Sequence, residues 1–304
     1  MIPRYSFSMI GRNLDLIFKV LIYVFILSLL CAAILVSIIS PLLKTLDTSF
    51  DFSERVLGML SDLIGNGRPG ALRQFFNELS STLESISSEI AVAVVLIIIV
   101  VFAAKFFLSL TAMPLGEVVY GRMSQNFSVM FHNVLVSSLG KSLLYALIKA
   151  FVTIVADGII IVVSYYLAKL LYIGLGVYGI ALAAFVMFAL LASRIAILGQ
   201  WVPQIVCERK SVAAAFRDSF QYSAKYFTRV MPVAFLILVI DFSAVMLTTV
   251  VTFGILPAII APVSLVWITN LNLVAYFYFN KKKFYVDEVT VINQIENETD
   301  SGDE

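Results

Sequence analysis

The stretch that decides the fold is residues 90–113, IAVAVVLIIIVVFAAKFFLSLTAM, in which Lys105 is the only charged residue. The hydrocarbon core of a bilayer is about 30 Å thick and an α-helix rises about 1.5 Å per residue, so about 20 apolar residues can cross it. This stretch is long and apolar enough to do so. We predict that it forms a transmembrane helix.

Five other stretches have the same character, namely residues 20–42, 150–172, 175–199, 231–253 and 258–279. The composition agrees, because a chain of 304 residues that is 61% hydrophobic and 13% charged has more apolar surface than one soluble core can bury. The first stretch is longer than the apolar part of a signal peptide, and we interpret it as a retained helix. The prediction is an all-α polytopic membrane helix bundle, with a six-helix membrane domain over residues 1–280.

Lysine and arginine residues collect on one side of the predicted spans. They are frequent before the first span, in the connections 114–149 and 200–230, and after the last span. On the other side they are fewer, and most of them are mixed with acidic residues. Because cytoplasmic loops collect Lys and Arg, this distribution predicts a multi-pass protein with both termini in the cytoplasm.

The connections between the spans differ in length. Residues 43–89 form a long external loop with two predicted amphipathic helices, separated by residues 65–70, and this loop either caps its own bundle or binds a partner. Residues 173–174 and 254–257 are predicted tight turns, so spans three and four, and five and six, form helical hairpins. Residues 281–304 end without apolar periodicity and are predicted to be a disordered cytoplasmic tail.

The connection 200–230 is amphipathic. The residues predicted to meet the lipid are Phe216 and Phe220 on one helical face and Lys210, Arg217 and Lys225 on the other. The aromatic rings would enter the headgroup boundary, and the basic side chains would contact anionic lipid. The alternative is an elbow that only positions the next span.

Two pairs of charged residues indicate an internal repeat. Lys141 and Asp157 are separated by the same number of residues as Lys225 and Asp241, so one shift of the sequence superimposes both pairs. The two aspartates then lie at matching depths in spans three and five. We predict three units, each an amphipathic helix followed by two membrane helices, with the external helices inserted into the first unit.

The segments CERKS (207–211) and AFRDSF (215–220), together with the short amphipathic start and the long external loop, resemble the six-span bacterial YciC-type membrane proteins. The membrane domain attached to some glycerophosphodiester phosphodiesterases is similar. The resemblance covers the architecture of nearly the whole chain. It implies a bacterial cell (cytoplasmic) membrane as the location, and it carries no active residue over to this sequence.

Polar residues inside the predicted spans form the candidate site, which consists of Lys105, Asp157, Arg194, Asp241, Asn270 and Asn272. Counted from the cytoplasmic ends of their helices, all lie roughly 8–16 Å deep and form one layer. Such groups normally face the interior of a bundle and pair with each other. The layer is either a polar vestibule that binds an ion, a proton or a lipid headgroup, or a set of salt bridges that fixes helix register.

Features of the usual enzyme classes are missing from the sequence. His132 is the only histidine, so neither a histidine-based metal site nor a Ser-His-Asp arrangement can be assembled. The sequence has no Gly-rich phosphate loop followed by Lys-Ser or Lys-Thr, and Asp241 lacks the Gly-x-Gly-Asp context of intramembrane aspartyl proteases. We predict no catalytic residue, metal or cofactor, and the net charge of +1 gives no reason to expect nucleic acid.

Two functions follow as hypotheses. The first is a non-enzymatic accessory or scaffold protein of the membrane, whose partners are membrane lipids and a membrane or extracytoplasmic protein. The alternative is a small transporter or channel-like protein whose substrate meets Asp157, Arg194 and Asp241. The first is favoured because the repeat runs parallel, whereas many secondary transporters contain inverted repeats.

Overall fold

The computed structural model describes residues 2–64, 77–78, 81–82, 84–125, 130–252, 257–286 and 290–292. The helices in these ranges are α1 (Ile2–Arg12), α2 (Leu14–Phe50), α3 (Phe52–Ile64), α4 (Ser87–Leu110), α5 (Ala112–Gln125), α6 (Phe131–Ser137), α7 (Leu139–Leu175), α8 (Val177–Leu198), α9 (Trp201–Glu208), α10 (Val212–Thr252) and α11 (Pro257–Phe279). An antiparallel hairpin follows, formed by β1 (Phe284–Tyr285) and β2 (Val291–Ile292).

Six helical segments of the described chain are long and apolar enough to cross a membrane, which confirms the predicted all-α polytopic bundle. They are α2, α4 with α5, α7, α8 with α9, α10, and α11. In each of the first five segments, no more than 22% of the most apolar stretch is buried, whereas in α11 the buried share of that stretch is 56%. The first five helices therefore leave most of their apolar surface to lipid, and α11 forms the inner part of the protein core.

The chain divides into two compact units. The first contains residues 1–26 and 105–304, and the second is Leu27–Ala104. Within the first unit, α11 packs on α1, α5 and α10, while α8 packs on both α7 and α10. The predicted hairpins of spans three and four, and of five and six, are therefore packed helix pairs. The second unit contains residues 27–50 of α2, the whole of α3, and residues 87–104 of α4.

The turn between α7 and α8 is at Gly176, so the prediction of a turn at residues 173–174 was wrong by a few residues. Gly174 is still helical, whereas Gly176 has a φ of 58° and a ψ of −135°, a conformation that residues with a side chain rarely adopt. The backbone requirement at Gly176 therefore fixes the turn. The other predicted turn, at residues 254–257, falls almost entirely outside the described residues.

Replacing Gly176 by alanine is expected to lower the free energy of unfolding by about 1–2 kcal/mol, because the new Cβ is strained at this positive φ. Gly174 is the matched control, since it is helical and a Cβ there would meet no atom within 4 Å. Gly174→Ala should leave the free energy of unfolding unchanged or raise it, because alanine favours a helix more than glycine does. Thermal unfolding of both variants in the same detergent measures the difference, and equal losses would contradict the assignment of the turn.

The predicted connection 200–230 does not form a helix separate from span five. Its first part is α9, the chain then breaks at Arg209 with a φ of 56°, and α10 runs without interruption from Val212 to Thr252. No glycine interrupts α10, and its Pro232 is tolerated within the helix, as prolines often are in membrane spans. The connection 114–149 likewise contributes its last part to a span, because α7 begins at Leu139.

The predicted external loop 43–89 begins with helix, because α2 continues to Phe50. The first predicted external helix is present as α3. The predicted break at residues 65–70, and most of the second external helix, lie outside the described residues.

The prediction that residues 281–304 are a disordered tail was wrong for the part that the structure describes. β1 and β2 pair with Phe284 opposite Ile292. The Phe284 ring is fully buried, with ring contacts to Tyr5 and Phe277. Burial of this aromatic ring in the core orders the start of the segment, and residues 293–304 lie outside the described ranges.

Candidate functional site

Three of the predicted charged residues meet on three different helices. Asp157 on α7 accepts a hydrogen bond from Lys105 of α4, whose Nζ lies 2.5 Å from Oδ2, and its Oδ1 is paired with Nη1 of Arg194 on α8. The side chains of Lys105, Asp157 and Arg194 are 29%, 18% and 22% exposed. We call these three residues the ion triad. Pairing reduces the cost of a charge in a membrane, which is about 2.5–3.5 kcal/mol on insertion scales.

A cavity of about 230 Å³ lies beside the ion triad. Its polar lining residues come from α7, α8 and α11 and are Tyr145, Lys149, Thr153, Arg194, Thr269 and Asn272. The remaining wall is apolar and includes Leu198, Val202 and Leu265. Arg194 therefore belongs to both features, since it pairs with Asp157 and also lines the cavity.

Lys149 is held in the cavity wall by aromatic residues. It follows Tyr145 by one helical turn, and its Nζ lies 5.2 Å from the centre of the Tyr145 ring, a cation–π distance. The Tyr145 ring packs edge-on against Trp201, with the ring centres 4.8 Å apart. Trp201 is fixed in turn, because its Nε1 donates a hydrogen bond to the backbone oxygen of Val212 at 2.9 Å. Among the described residues, no carboxylate lies within ion-pair distance of Lys149.

Asn272 presents an unsatisfied polar group in the cavity wall. Its Oδ1 is buried and has no hydrogen-bond partner among the described residues. A Cβ at Gly199 would lie 2.3 Å from this oxygen, so the absence of a side chain at Gly199 allows α11 to approach the end of α8 this closely. The backbone oxygen of Asn272 accepts a hydrogen bond from Gln200 at 3.4 Å. The close packing places an amide group beside the two cations of the cavity.

The cavity and the ion triad together carry an excess of positive charge. Lys105, Lys149 and Arg194 supply three cations, and Asp157 is the one carboxylate that pairs with any of them in the described part of the chain. Two positive charges are therefore left without a matching acid. Because charges interact more strongly in a poorly solvated site than in water, this arrangement favours an anionic ligand.

The other predicted polar residues do not join the ion triad. Asp241 accepts a hydrogen bond from Ser264 Oγ at 2.6 Å and forms no ion pair among the described residues. Asn270 accepts a hydrogen bond from Asn13 Nδ2 at 3.2 Å. The predicted single layer thus consists of separate groups, because residues at similar depth lie on different faces of their helices.

Asn13 connects Asn270 to a buried network that the sequence did not reveal. The Arg122 side chain, only 8% exposed, forms two hydrogen bonds of 2.8 Å with the carboxylate of Asp15. Its Nη1 also donates to Asn13 Oδ1 at 2.8 Å and to the backbone oxygen of Arg12 at 3.0 Å. Arg122 holds the junction of α1 and α2 against α5. A buried arginine cannot be distinguished from an exposed flanking arginine by its place in the sequence.

The predicted lipid-interface residues have different surroundings. Phe216 packs against Trp201 with ring centres 4.7 Å apart, so part of the expected lipid-facing surface lies within the protein. Phe220 is 48% exposed, and Arg217 and Lys225 are also exposed. These three residues remain available to lipid.

Lys210 is paired with protein groups. Its Nζ lies 2.6 Å from Glu208 and 2.7 Å from Asp218. Burial lowers the pKa of Lys210, but the hydrogen bonds to Asp218 and Glu208 outweigh this effect, and the pKa is raised above its ordinary value. Lys210 stabilises the break between α9 and α10.

The fold and the site define the chain as an integral, multi-pass membrane protein. Comparison of the chain with models of protein families, with curated proteins and with solved structures gave no match in any of the three. Within the described ranges, no group of three or more His, Cys, Asp or Glu side chains is placed to hold a metal ion.

Proposed function

We propose that the protein is a non-enzymatic accessory protein of the membrane that binds the anionic headgroup of a lipid in this cavity. The observation that supports the proposal is the excess of two positive charges over carboxylates among Lys105, Arg194, Lys149 and Asp157, with Arg194 and Lys149 lining the cavity. A lipid has the complementary chemistry, since its headgroup supplies the negative charge and its acyl chains suit the apolar surroundings.

The position of the cavity suits a lipid of the cytoplasmic leaflet. Arg194 precedes the end of the fourth predicted span by about 8 Å along the helix, and Lys149 directly precedes the third. In the proposed orientation, which rests on the distribution of Lys and Arg, both residues lie near the cytoplasmic surface. Basic pockets between membrane helices on this side are a known way of binding anionic headgroups.

The partners of the two intramembrane aspartates support this proposal over the transport alternative. A substrate that meets Asp157, Arg194 and Asp241 requires these residues to form one site. Asp157 is already paired with two cations, whereas Asp241 is bonded to Ser264 on α11. We further propose that the chain is related to the YciC-type membrane proteins, and we expect members of that group to carry a comparable basic cavity.

Lys149→Met should reduce binding of acidic lipid about tenfold or more, because a hydrogen bond to a charged group contributes about 1.5–3 kcal/mol. Mass spectrometry of the full chain in mild detergent, after stepwise removal of lipid, measures how much acidic lipid each variant retains. Lys141→Met is the matched control, since Lys141 is an exposed lysine of the same helix and does not line the cavity. Equal retention by the two variants, or preferential retention of zwitterionic lipid, would refute the proposal.

A further inference from the structure

We infer that the preferred ligand is a lipid whose headgroup is a phosphomonoester with two negative charges, rather than a singly charged phosphodiester, and that Lys105 sets this preference from outside the cavity. The inference rests on the proposed function, because it names the class of lipid that the same cavity selects. It follows from how the one carboxylate of the ion triad is shared.

Lys105 balances the charge of Asp157, so that Arg194 keeps a net positive charge towards a ligand although it is paired with Asp157. Asp157 uses one oxygen for each cation, Oδ2 for Lys105 and Oδ1 for Arg194. Of these three residues only Arg194 lines the cavity. Without Lys105, the charge of Asp157 would cancel that of Arg194. With Lys105 present, Asp157 is already balanced, and both Arg194 and Lys149 retain an effective positive charge towards the cavity.

A poorly solvated site favours a ligand whose charge is equal in size and opposite in sign to its own. A phosphodiester carries one negative charge and would leave one of the two cations unmatched, which is costly away from water. A phosphomonoester carries a charge of about −1.5 to −2 at pH 7 and offers three strong acceptor oxygens. Those oxygens suit the planar guanidinium of Arg194 and the ammonium of Lys149.

The size and lining of the cavity agree with a small headgroup. Its volume of about 230 Å³ is below the roughly 300–1,000 Å³ of pockets that enclose drug-sized ligands. A bare phosphate ester fits this volume better than a headgroup that carries a sugar or a nucleotide. Thr153, Thr269 and Tyr145 add hydroxyl groups to the wall, and the apolar residues beside them suit the first part of the acyl chains.

The first test compares two lipids that differ by one methyl group and one charge, phosphatidic acid and phosphatidylmethanol. Full-length protein in detergent is incubated with each lipid at pH 7.5, and bound lipid is counted by native mass spectrometry. Phosphatidic acid should bind about tenfold more tightly, as expected for one additional charge-assisted contact. Equal affinity for the two lipids would overturn the inference while leaving the proposed function intact. Binding of neither lipid would refute the proposed function itself.

The second test changes the charge of the ion triad without touching the cavity wall. Lys105→Met removes one cation, so the preference for phosphatidic acid over phosphatidylmethanol should fall to about twofold or less. The double variant Lys105→Met with Asp157→Asn restores the original net charge and should restore the preference. Restoration identifies charge as the cause, whereas a double variant that is folded and still shows no preference would overturn the role of Lys105.

The third test separates a lipid ligand from a soluble phosphate. Inorganic phosphate and glycerol 3-phosphate carry the same charged group without acyl chains. If the ligand is a lipid, millimolar concentrations of either should displace little phosphatidic acid. The contrary result is that inorganic phosphate alone competes at the concentration at which phosphatidic acid binds. That result would assign the charged group correctly but show that the ligand is not a lipid, and it would overturn the inference of a lipid ligand.

Discussion

Replacement of Asp157 by alanine is expected to lower the free energy of unfolding by about 3–5 kcal/mol, because it leaves Lys105 and Arg194 without a counter-charge inside the membrane. The two cations would also repel each other across the space left by the carboxylate. The measurement is thermal or denaturant-induced unfolding of the purified protein in a mild detergent, followed by circular dichroism.

Asp241→Ala is the matched control for this prediction. Asp241 has the same side chain and the corresponding position in the predicted repeat, but its partner is the Ser264 hydroxyl. Its removal leaves no charge unpaired, and the free energy of unfolding should change by less than about 1 kcal/mol. If the two variants lose the same stability, pairing within the ion triad cannot be what makes Asp157 important.

Arg122→Met is expected to lower the free energy of unfolding by about 2–3 kcal/mol, since hydrogen bonds to charged groups contribute about 1.5–3 kcal/mol and Asp15 is partly exposed to solvent. The substitution removes the two bonds to Asp15 and leaves Asn13 Oδ1 without its donor. The junction of α1 and α2 should loosen, and faster hydrogen exchange of the α1 amides would show this directly.

Arg209→Met tests whether burial accounts for the effect at Arg122. The Arg209 side chain is 67% exposed, and its ion pair with Glu117 has a length of 3.1 Å. Exposed ion pairs contribute about 0–1 kcal/mol, so the free energy of unfolding of this variant should remain close to that of the wild type. A large loss of stability at Arg209 with none at Arg122 would contradict the buried network.

The membrane class and the positions of the spans could be predicted because they depend on local properties. Residues 90–113 identify a transmembrane helix by length and hydropathy alone, whatever they pack against. Helix ends were predicted less well. α10 continues through the predicted connection because its sequence contains no glycine, and the turn between α7 and α8 falls at Gly176, the one glycine there with a positive φ.

The candidate site could be predicted only in part. The sequence placed Lys105, Asp157 and Arg194 at one depth, and the structure brings these three together. Nothing in the sequence indicated that Lys149, which directly precedes a predicted span, lines the same cavity. Nor did it show that Phe284, in a segment predicted to be disordered, is fully buried. Both properties depend on which elements pack together.

The sequence by itself thus determined that this chain forms six long apolar helices, because length and hydropathy are properties of one segment. Only the tertiary structure decided which charges meet. Asp157 and Asp241 correspond in the predicted repeat, yet one binds two cations and the other a serine. The physical reason is that partners depend on the rotation and neighbours of each helix, and these are set by packing between segments distant in the chain.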